Sequence, residues 1–489
     1  MRTSMGMSPN TIVTRDSGGT LVEQIVHSVA CKIDDKLLRT GARMPSIRQF
    51  ADEQKVSRFT VVEAYDRLVA NGYLESRRGS GFFVRERASL ISSNSANSSS
   101  SNPNPNMPFS QNPDVVWLVR NMFRQLPSPK MPGFGLLPHD WLDGELVANG
   151  LRSISRLHQN LLLHYGTQQG FLPLRQQLQL KLAELEIAAA PEQIVMTNGV
   201  TQALDLVARE FTQPGDTIFV DDPAWFLMFG TFATLGTKVI GIPRLQDGPD
   251  IQKLVELAAI HKPKLYIIHS VLHSPTSTSL SAAKAFQVLK AAEQFDFKIV
   301  EDDVYCDFHP GSSVQAATRI SALDQLNRVI YLGGFSKTLA ANLRVGFIAT
   351  SPDLAIRLSD RKMLSTITTN EIGERIVHKI LSEGHYRKHI DRIRVKLDSV
   401  RDVVTDRIER IGMKVEYRTP AGMFLWVETG CDTIAMTEKA LEQGILIAPG
   451  TLFSPNQLPS TRMRVNIAAM SDEEVWTFLE NEMHLRDNA

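Results

Sequence analysis

The segment GGFSKTLAANLRVGF, residues 333–347, directly follows the apolar run RVIYL, and its reading decides the fold. A short apolar run of this kind reads as a buried strand. Just past its end stands Lys337, preceded by Ser336, with Arg344 seven positions on. Lysine ammonium groups normally stay in water. In open α/β sheets, however, ligands gather beyond the carboxyl ends of the strands. A lysine held there, its pKa lowered by burial or nearby cations, is the side chain that forms Schiff bases with carbonyl compounds.

Working outward, the same pattern repeats. The runs IVMT, TIFV, KVIGI, LYIIH, KIVE, VIYL and VGFIA alternate with helical patterns such as TQALDLVAREF and AKAFQVLKAAEQF. That alternation predicts an α/β fold with a largely parallel sheet covered by helices. Past about residue 352 come long helical patterns, then MKVEYR, GMFLWVE and TRMRVNIA. These predict a small C-terminal α+β subdomain.

Three further strand ends carry chemistry. After IVMT, Gly199, Val200 and Thr201 open a helix, and a glycine and a hydroxyl at a helix N-terminus suit phosphate. After TIFV, Trp225 offers a planar ring for stacking; read alone, a core or interface aromatic explains it as well. After KIVE, Asp302 and Tyr305 offer a carboxylate and a phenol for opposite sides of a heteroaromatic ring; a structural acid with a packed tyrosine is the alternative. With Ser336 and Arg344 as phosphate partners and Lys337 as the amine, the set as a whole points to pyridoxal 5'-phosphate. Arg344 would also help lower the lysine pKa.

From about residue 160 to 470 the chain resembles fold-type I aminotransferases. YGTQQGFLPLR is similar to that family's Y-G-x-x-x-G-x-x-x-L-R, SKTLAANLR to S-K-x-L-x-P-G-L-R, and RMRVNIA to R-L-N-F-A. The resemblance implies that Tyr165 reaches the phosphate in a partner subunit. It also implies that Arg464 grips the carboxylate of an amino-acid ligand. HSPTSTSLS (273–281) departs from the usual N-P-T-G: Ser274 replaces the asparagine that bonds the ring hydroxyl, and Ser277 replaces the glycine. Ala341-Asn342 stands where Pro-Gly is usual.

The amino-terminal part has a different character. Residues 1–88 hold 14 Lys and Arg against 10 Asp and Glu, although the whole chain of 489 residues is neutral. LVEQIVHSVACKIDDKLL predicts a helix stopped at Gly41, SIRQFADEQ a second, and SRFTVVEAYDRLVANG a third with Ser57 as its N-cap. YLESRRGSGFFV predicts a hairpin. A helix, a turn and a helix beginning Ser-Arg-Phe-Thr is the arrangement that enters a DNA major groove. RMPSIRQFADEQKVSRFTVVEAYDRLVANGYLESRRGSGFFV resembles the winged helix of GntR-type transcription regulators. The resemblance implies DNA contacts from Arg43, Ser46, Arg48, Ser57, Arg58, Thr60 and a wing at Gly79-Ser80-Gly81. Arg77 and Arg78 sit at the tip of that hairpin.

The expected organisation is a disordered tail (1–18), a winged-helix domain (19–87), a flexible Ser/Asn/Pro linker (88–113) and an aminotransferase-like domain (114–486). The three cysteines show no paired spacing, which fits a reducing cytosol. No apolar run approaches a membrane span, and no signal-peptide core stands at the start. His385 and His389 in GHYRKHI have i, i+4 spacing but no third metal ligand, so they read as a surface helix and no metal is expected. His269 and His273 read as packing or loop residues, with His273 within reach of a cofactor ring. Together the parts resemble the MocR subfamily. That implies a homodimer in the cytoplasm, double-stranded operator DNA as one partner and a small amino-compound effector, or the cofactor itself, as signal. An active amino-acid aminotransferase with an appended DNA-binding head is the alternative.

Overall fold

The computed structural model describes residues 19–85, 120, 126–156, 163–310 and 317–487. The chain divides into two compact units, Met1–Pro108 and Phe109–Ala489. The expected tail and linker lie outside the described residues.

In the first unit, α1 (Leu21–Asp34) opens with a capping box in which Thr20 and Glu23 bond each other's backbone. It ends at Asp34 rather than running on toward Gly41. Asp34 and Asp35 oppose the negative end of the helix dipole, and Lys36 then turns left-handed at φ +60°. The helix α2 (Ile47–Gln54) is capped by Ser46, and α3 (Arg58–Ala70) by Ser57, whose Oγ accepts from Thr60 N at 3.0 Å. Strands β1 (Leu74–Arg77) and β2 (Gly81–Val84) form the antiparallel hairpin. Tyr65 anchors the core: fully buried, edge-on to Phe50 and Phe82, it donates its hydroxyl to Pro45 O at 3.1 Å.

The second unit is built on an eight-stranded sheet. Its strands are β3 (Ile194–Thr197), β4 (Thr217–Asp222), β5 (Lys238–Leu245), β6 (Gly248–Pro249), β7 (Leu265–Ile268), β8 (Lys298–Asp302), β9 (Val329–Gly334) and β10 (Gly346–Ala349), in the order β3-β10-β9-β8-β7-β4-β5-β6. The five strands from β9 to β5 in that order run parallel, while β10 is antiparallel to both its neighbours. All seven apolar runs are strands. They read as unbroken apolar stretches because both faces are covered: Ile218 and Val220 enter one hydrophobic cluster, and Phe219 between them enters another.

A smaller antiparallel sheet completes the chain. It holds β11 (Lys414–Val415), β12 (Phe424–Glu428), β13 (Ala448–Pro449) and β14 (Arg462–Asn466), in the order β11-β12-β14-β13. The 26-residue helix His385–Arg410 leads into it.

Candidate cofactor site and DNA-facing surface

The loop after β9 carries Lys337 into a cleft walled by β8, the loop 273–278 and β14. The side chain is half-buried. Its Nζ donates to Gly135 O at 3.0 Å and lies 5.9 Å from the centre of the Tyr305 ring. Burial, then the positive charge of Arg464, and more weakly that of Arg344, lower its pKa to about 8 against the pull of Asp302. An appreciable fraction of the amine is therefore neutral near pH 8.

Arg464 is 2% exposed and has no carboxylate partner among the described residues. One amino group donates to Gly133 O at 2.7 Å and the other to Ser274 Oγ at 3.3 Å, while Nε has no partner. The guanidinium lies over Phe424 at 4.5 Å and Phe453 at 4.9 Å. Burial lowers even this group to about 10, with Tyr305 opposing. A buried cation without a counter-ion is costly, and an incoming anion relieves that cost. Gly135 keeps the space between the two cations open: a Cβ there would stand 3.4 Å from Arg464 and 3.7 Å from Lys337 Nζ.

At the end of β8, Asp302 is buried, with Oδ1 accepting from Val304 N at 3.3 Å. His269 Nε2 stands 3.3 Å from Asp302 Oδ2, and neither of its ring nitrogens makes a hydrogen bond. Its ring is tilted toward Tyr305 at 6.5 Å. Tyr305 itself is pushed up to about 12, chiefly by burial, and bonds Ser274. Orphaned polar atoms on His269 and Arg464 are what a site shaped for a polar heteroaromatic group leaves behind.

Across the cleft, Gly199, Val200 and Thr201 open the helix Val200–Phe211 as expected. Arg344 donates to Asn198 O at 3.1 Å and to Ser336 Oγ at 3.4 Å, and remains solvent-exposed. Gly199 has φ +80°, and a Cβ there would stand 2.6 Å from the Arg344 guanidinium. The residues thus offer two hydroxyls, one guanidinium and free helix N–H groups, which suits a phosphate.

Trp225 and Tyr165 make no hydrogen bond to this group. Trp225 is half-buried, packed in part against the cluster that holds Ile218 and Val220. Tyr165 is 79% exposed. His273 does not turn toward the cleft: it is fully buried, with Nδ1 bonded to Thr276 Oγ1 at 2.8 Å and Nε2 3.6 Å from Asp221. His269 takes the place beside Asp302.

His389 also differs from expectation. It is 3% exposed, not on the surface. Its Nε2 donates to Thr338 O at 2.7 Å while Nδ1 accepts from Arg392 at 3.0 Å, which fixes a neutral tautomer. Tyr386, one turn earlier, takes the Thr338 hydroxyl at 2.9 Å and donates to Asp307 at 2.5 Å. Thr338 follows Lys337, so the first turn of the long helix clamps the lysine loop. An i, i+4 pair says nothing about which face a helix buries; the Tyr386 between two basic residues was the readable signal. Gly133 and Gly135 also escaped the sequence reading, although two glycines two residues apart mark close backbone approach.

Ser277 has a structural task. It sits at φ +55°, and its hydroxyl donates to Phe424 O at 2.9 Å and accepts from Phe424 N at 3.2 Å. It joins the large sheet's loop to β12. Ser274, beside it, is engaged with Arg464 and Tyr305.

In the first unit the ten expected DNA-contact residues are exposed, except Thr60, which is half-buried. Their hydrogen-bonding capacity is divided unevenly. Arg77 pairs with Glu75 at 2.6 Å and covers Phe83. Arg43 lies beside the wing, with Nε 3.8 Å from where a Gly81 Cβ would stand. Ser46 and Ser57 serve as helix caps, and Ser57 Oγ is 2.8 Å from Thr60 Oγ1. Arg48, Arg58 and Arg78 make no ion pair among the described residues, among which no helix is long and apolar enough to cross a membrane.

Comparison with known proteins agrees with this division. The family "Aminotransferase class I and II" matches residues 139–481, and "Bacterial regulatory proteins, gntR family" matches residues 21–84. The chain is 29% identical over 472 residues to the HTH-type transcriptional regulator TauR of Rhodobacter capsulatus, covering 89% of this chain and 90% of that protein. It is 26% identical over 391 residues to the probable rhizopine catabolism regulatory protein MocR of Rhizobium meliloti, covering 78% and 76%. The crystal structure of the Pyrococcus horikoshii kynurenine aminotransferase superposes with TM-score 0.68 at 26% identity, over 76% of this chain and 92% of that one. Aminotransferases of this class depend on pyridoxal 5'-phosphate. The chain belongs to the class I and II aminotransferase family, and to those of its members, the MocR-type regulators, that carry a GntR winged helix before that domain.

Proposed function

We propose that this protein is a pyridoxal 5'-phosphate-dependent transcription regulator whose second unit senses a small amino compound and whose winged helix binds operator DNA. The carrying observation is that Lys337 and the uncompensated Arg464 converge on Gly135. A ligand with both an amine and a carboxylate matches that pair.

Bound pyridoxal 5'-phosphate supplies an aldehyde carbon that condenses with amines. Lys337 brings the neutral amine for that carbon. Asp302, oriented by the Val304 N–H and faced by His269, would hold a proton on a ring nitrogen. Tyr305 and Ser274 would bond the ring hydroxyl. Gly199, Val200, Thr201, Ser336 and Arg344 would cradle the phosphate, with Trp225 over the ring and Tyr165 offered to a second subunit of a homodimer. Arg464 would orient an effector carboxylate. The place of action is the cytoplasm, on the nucleoid. The effector acts only through its differential affinity for two arrangements of the protein.

An active aminotransferase is the second reading, favoured by a lysine near pKa 8, which is a competent general base. Two measurements test the proposal. Titration with pyridoxal 5'-phosphate gives a visible absorption band in the wild type and none in Lys337→Ala; a band that survives the substitution removes Lys337 from the role. Operator binding changes when an effector amino acid is added; unchanged binding across an amino-acid panel, with sustained transamination instead, favours the enzyme.

A further inference from the structure

The first turn of α3 presents an aromatic ring to water. Phe59 is 77% exposed, the highest value for a large apolar residue among the described residues of its unit. Val62, at i+3 on the same face, is 37% exposed. The opposite face of α3 is filled by the buried Val61, Ala64, Tyr65 and Leu68, so the ring is not a stray core residue.

The polar groups of this turn are already divided. The hydroxyls of Ser57 and Thr60 are engaged with each other and with the Thr60 N–H. Arg58 has no ion pair among the described residues. The end of the helix therefore offers its surroundings two things, a guanidinium and an apolar ring backed by a valine.

A winged helix lays this end in the major groove. The one apolar group that base pairs display there is the 5-methyl of thymine. The surroundings favour a polyanion over a protein: residues 19–85 hold 11 Lys and Arg against 8 Asp and Glu, and although Arg67 pairs with Glu63, Arg58 beside the ring and Arg48 on the preceding helix make no ion pair among the described residues. We propose that Phe59, with Val62 behind it, is a specificity-determining residue that packs on a thymine methyl in the operator, beside a contact from Arg58. The proposal rests on the reading of this unit as DNA-binding.

The test uses the full chain. Wild type, Phe59→Ser and Phe59→Leu each select duplexes from a randomised pool, and deoxyuridine then replaces thymidine one position at a time in the best duplex. Wild type selects thymine at one position per half-site, and deoxyuridine there weakens binding about fourfold, the factor that one buried methyl-sized group supplies. Phe59→Leu keeps that sensitivity; Phe59→Ser loses it while keeping its salt dependence. Deoxyuridine without effect on wild type at every position overturns the proposal. So does an equal effect in Phe59→Ser, or unchanged base selection by that variant, which would assign the ring to a protein partner. Failure of the DNA reading itself looks different: wild type then enriches no sequence and shows no salt-dependent binding.

Discussion

Ser277→Gly is expected to loosen the protein, although its backbone conformation is the one glycine adopts most readily. Ser277 lies at φ +55°, where a residue with a Cβ is strained by about 1 kcal/mol. Glycine relieves that strain but loses a similar amount through greater freedom in the unfolded chain. What decides the sign is the hydroxyl. It meets both the N–H and the carbonyl of Phe424 on a side of β12 where β11 is paired only to Val427 and Glu428. Leaving a buried backbone group unpaired costs about 1–3 kcal/mol. Two such groups, partly rescued by relaxation, give a net loss of about 2 kcal/mol. Hydrogen exchange on the segment 422–428 reads this directly: exchange of the Phe424 amide should quicken about 30-fold, with β4 unchanged. Ser277→Ala keeps the strain and loses the hydroxyl, so it should exchange no more slowly than Ser277→Gly. Protection in Ser277→Gly equal to or above wild type would refute the argument, and would leave the serine as a simple strained replacement.

Two further outcomes are expected. In the cofactor-free protein, acylation of Lys337 followed by mass spectrometry should rise through pH 8, while unperturbed lysines follow near 10.5; Arg464→Met removes a positive charge and should move the midpoint upward, and a midpoint that stays or falls would deny the coupling. Tyr386→Phe strips the buried Asp307 carboxylate and the Thr338 hydroxyl of a partner, so the urea midpoint of the second unit should fall by the equivalent of about 1–3 kcal/mol; an unchanged midpoint would mean that this hydroxyl holds nothing.

The sequence was most legible where a physical rule acts locally. Each run such as TIFV or KIVE had to be a strand buried on both faces, because its apolar residues are continuous rather than alternating. The residues just past those runs therefore fell where strand ends place ligands, and Asp302, Lys337 and Gly199 could be named. The cap Ser57 was readable for the same reason. Strand order was not: nothing in VGFIA says that β10 inserts antiparallel between β3 and β9, because that depends on contacts far apart in the chain. Packing partners were equally silent. His389 and Tyr386 look like members of a charged surface helix until the lysine loop lies against them, and His269 rather than His273 faces Asp302 because of how the 269–278 segment turns. The α1 helix ended early for a reason that was present in the letters, the acidic pair at its carboxyl end.

The helix His385–Arg410 joins the two halves of the cleft. At one end Tyr386 and His389 hold Thr338, next to the lysine; farther along, Arg401 donates to Gly422 O at 3.2 Å, just before the strand that neighbours Arg464. The two anchor points are separated by roughly 20 Å of rigid rod at 1.5 Å per residue. The rod ends on the residue after Lys337. On the proposed reading, a ligand held between the guanidinium and the amine would bridge two parts that this helix already ties together, so that ligand and helix would close one mechanical loop through the backbone.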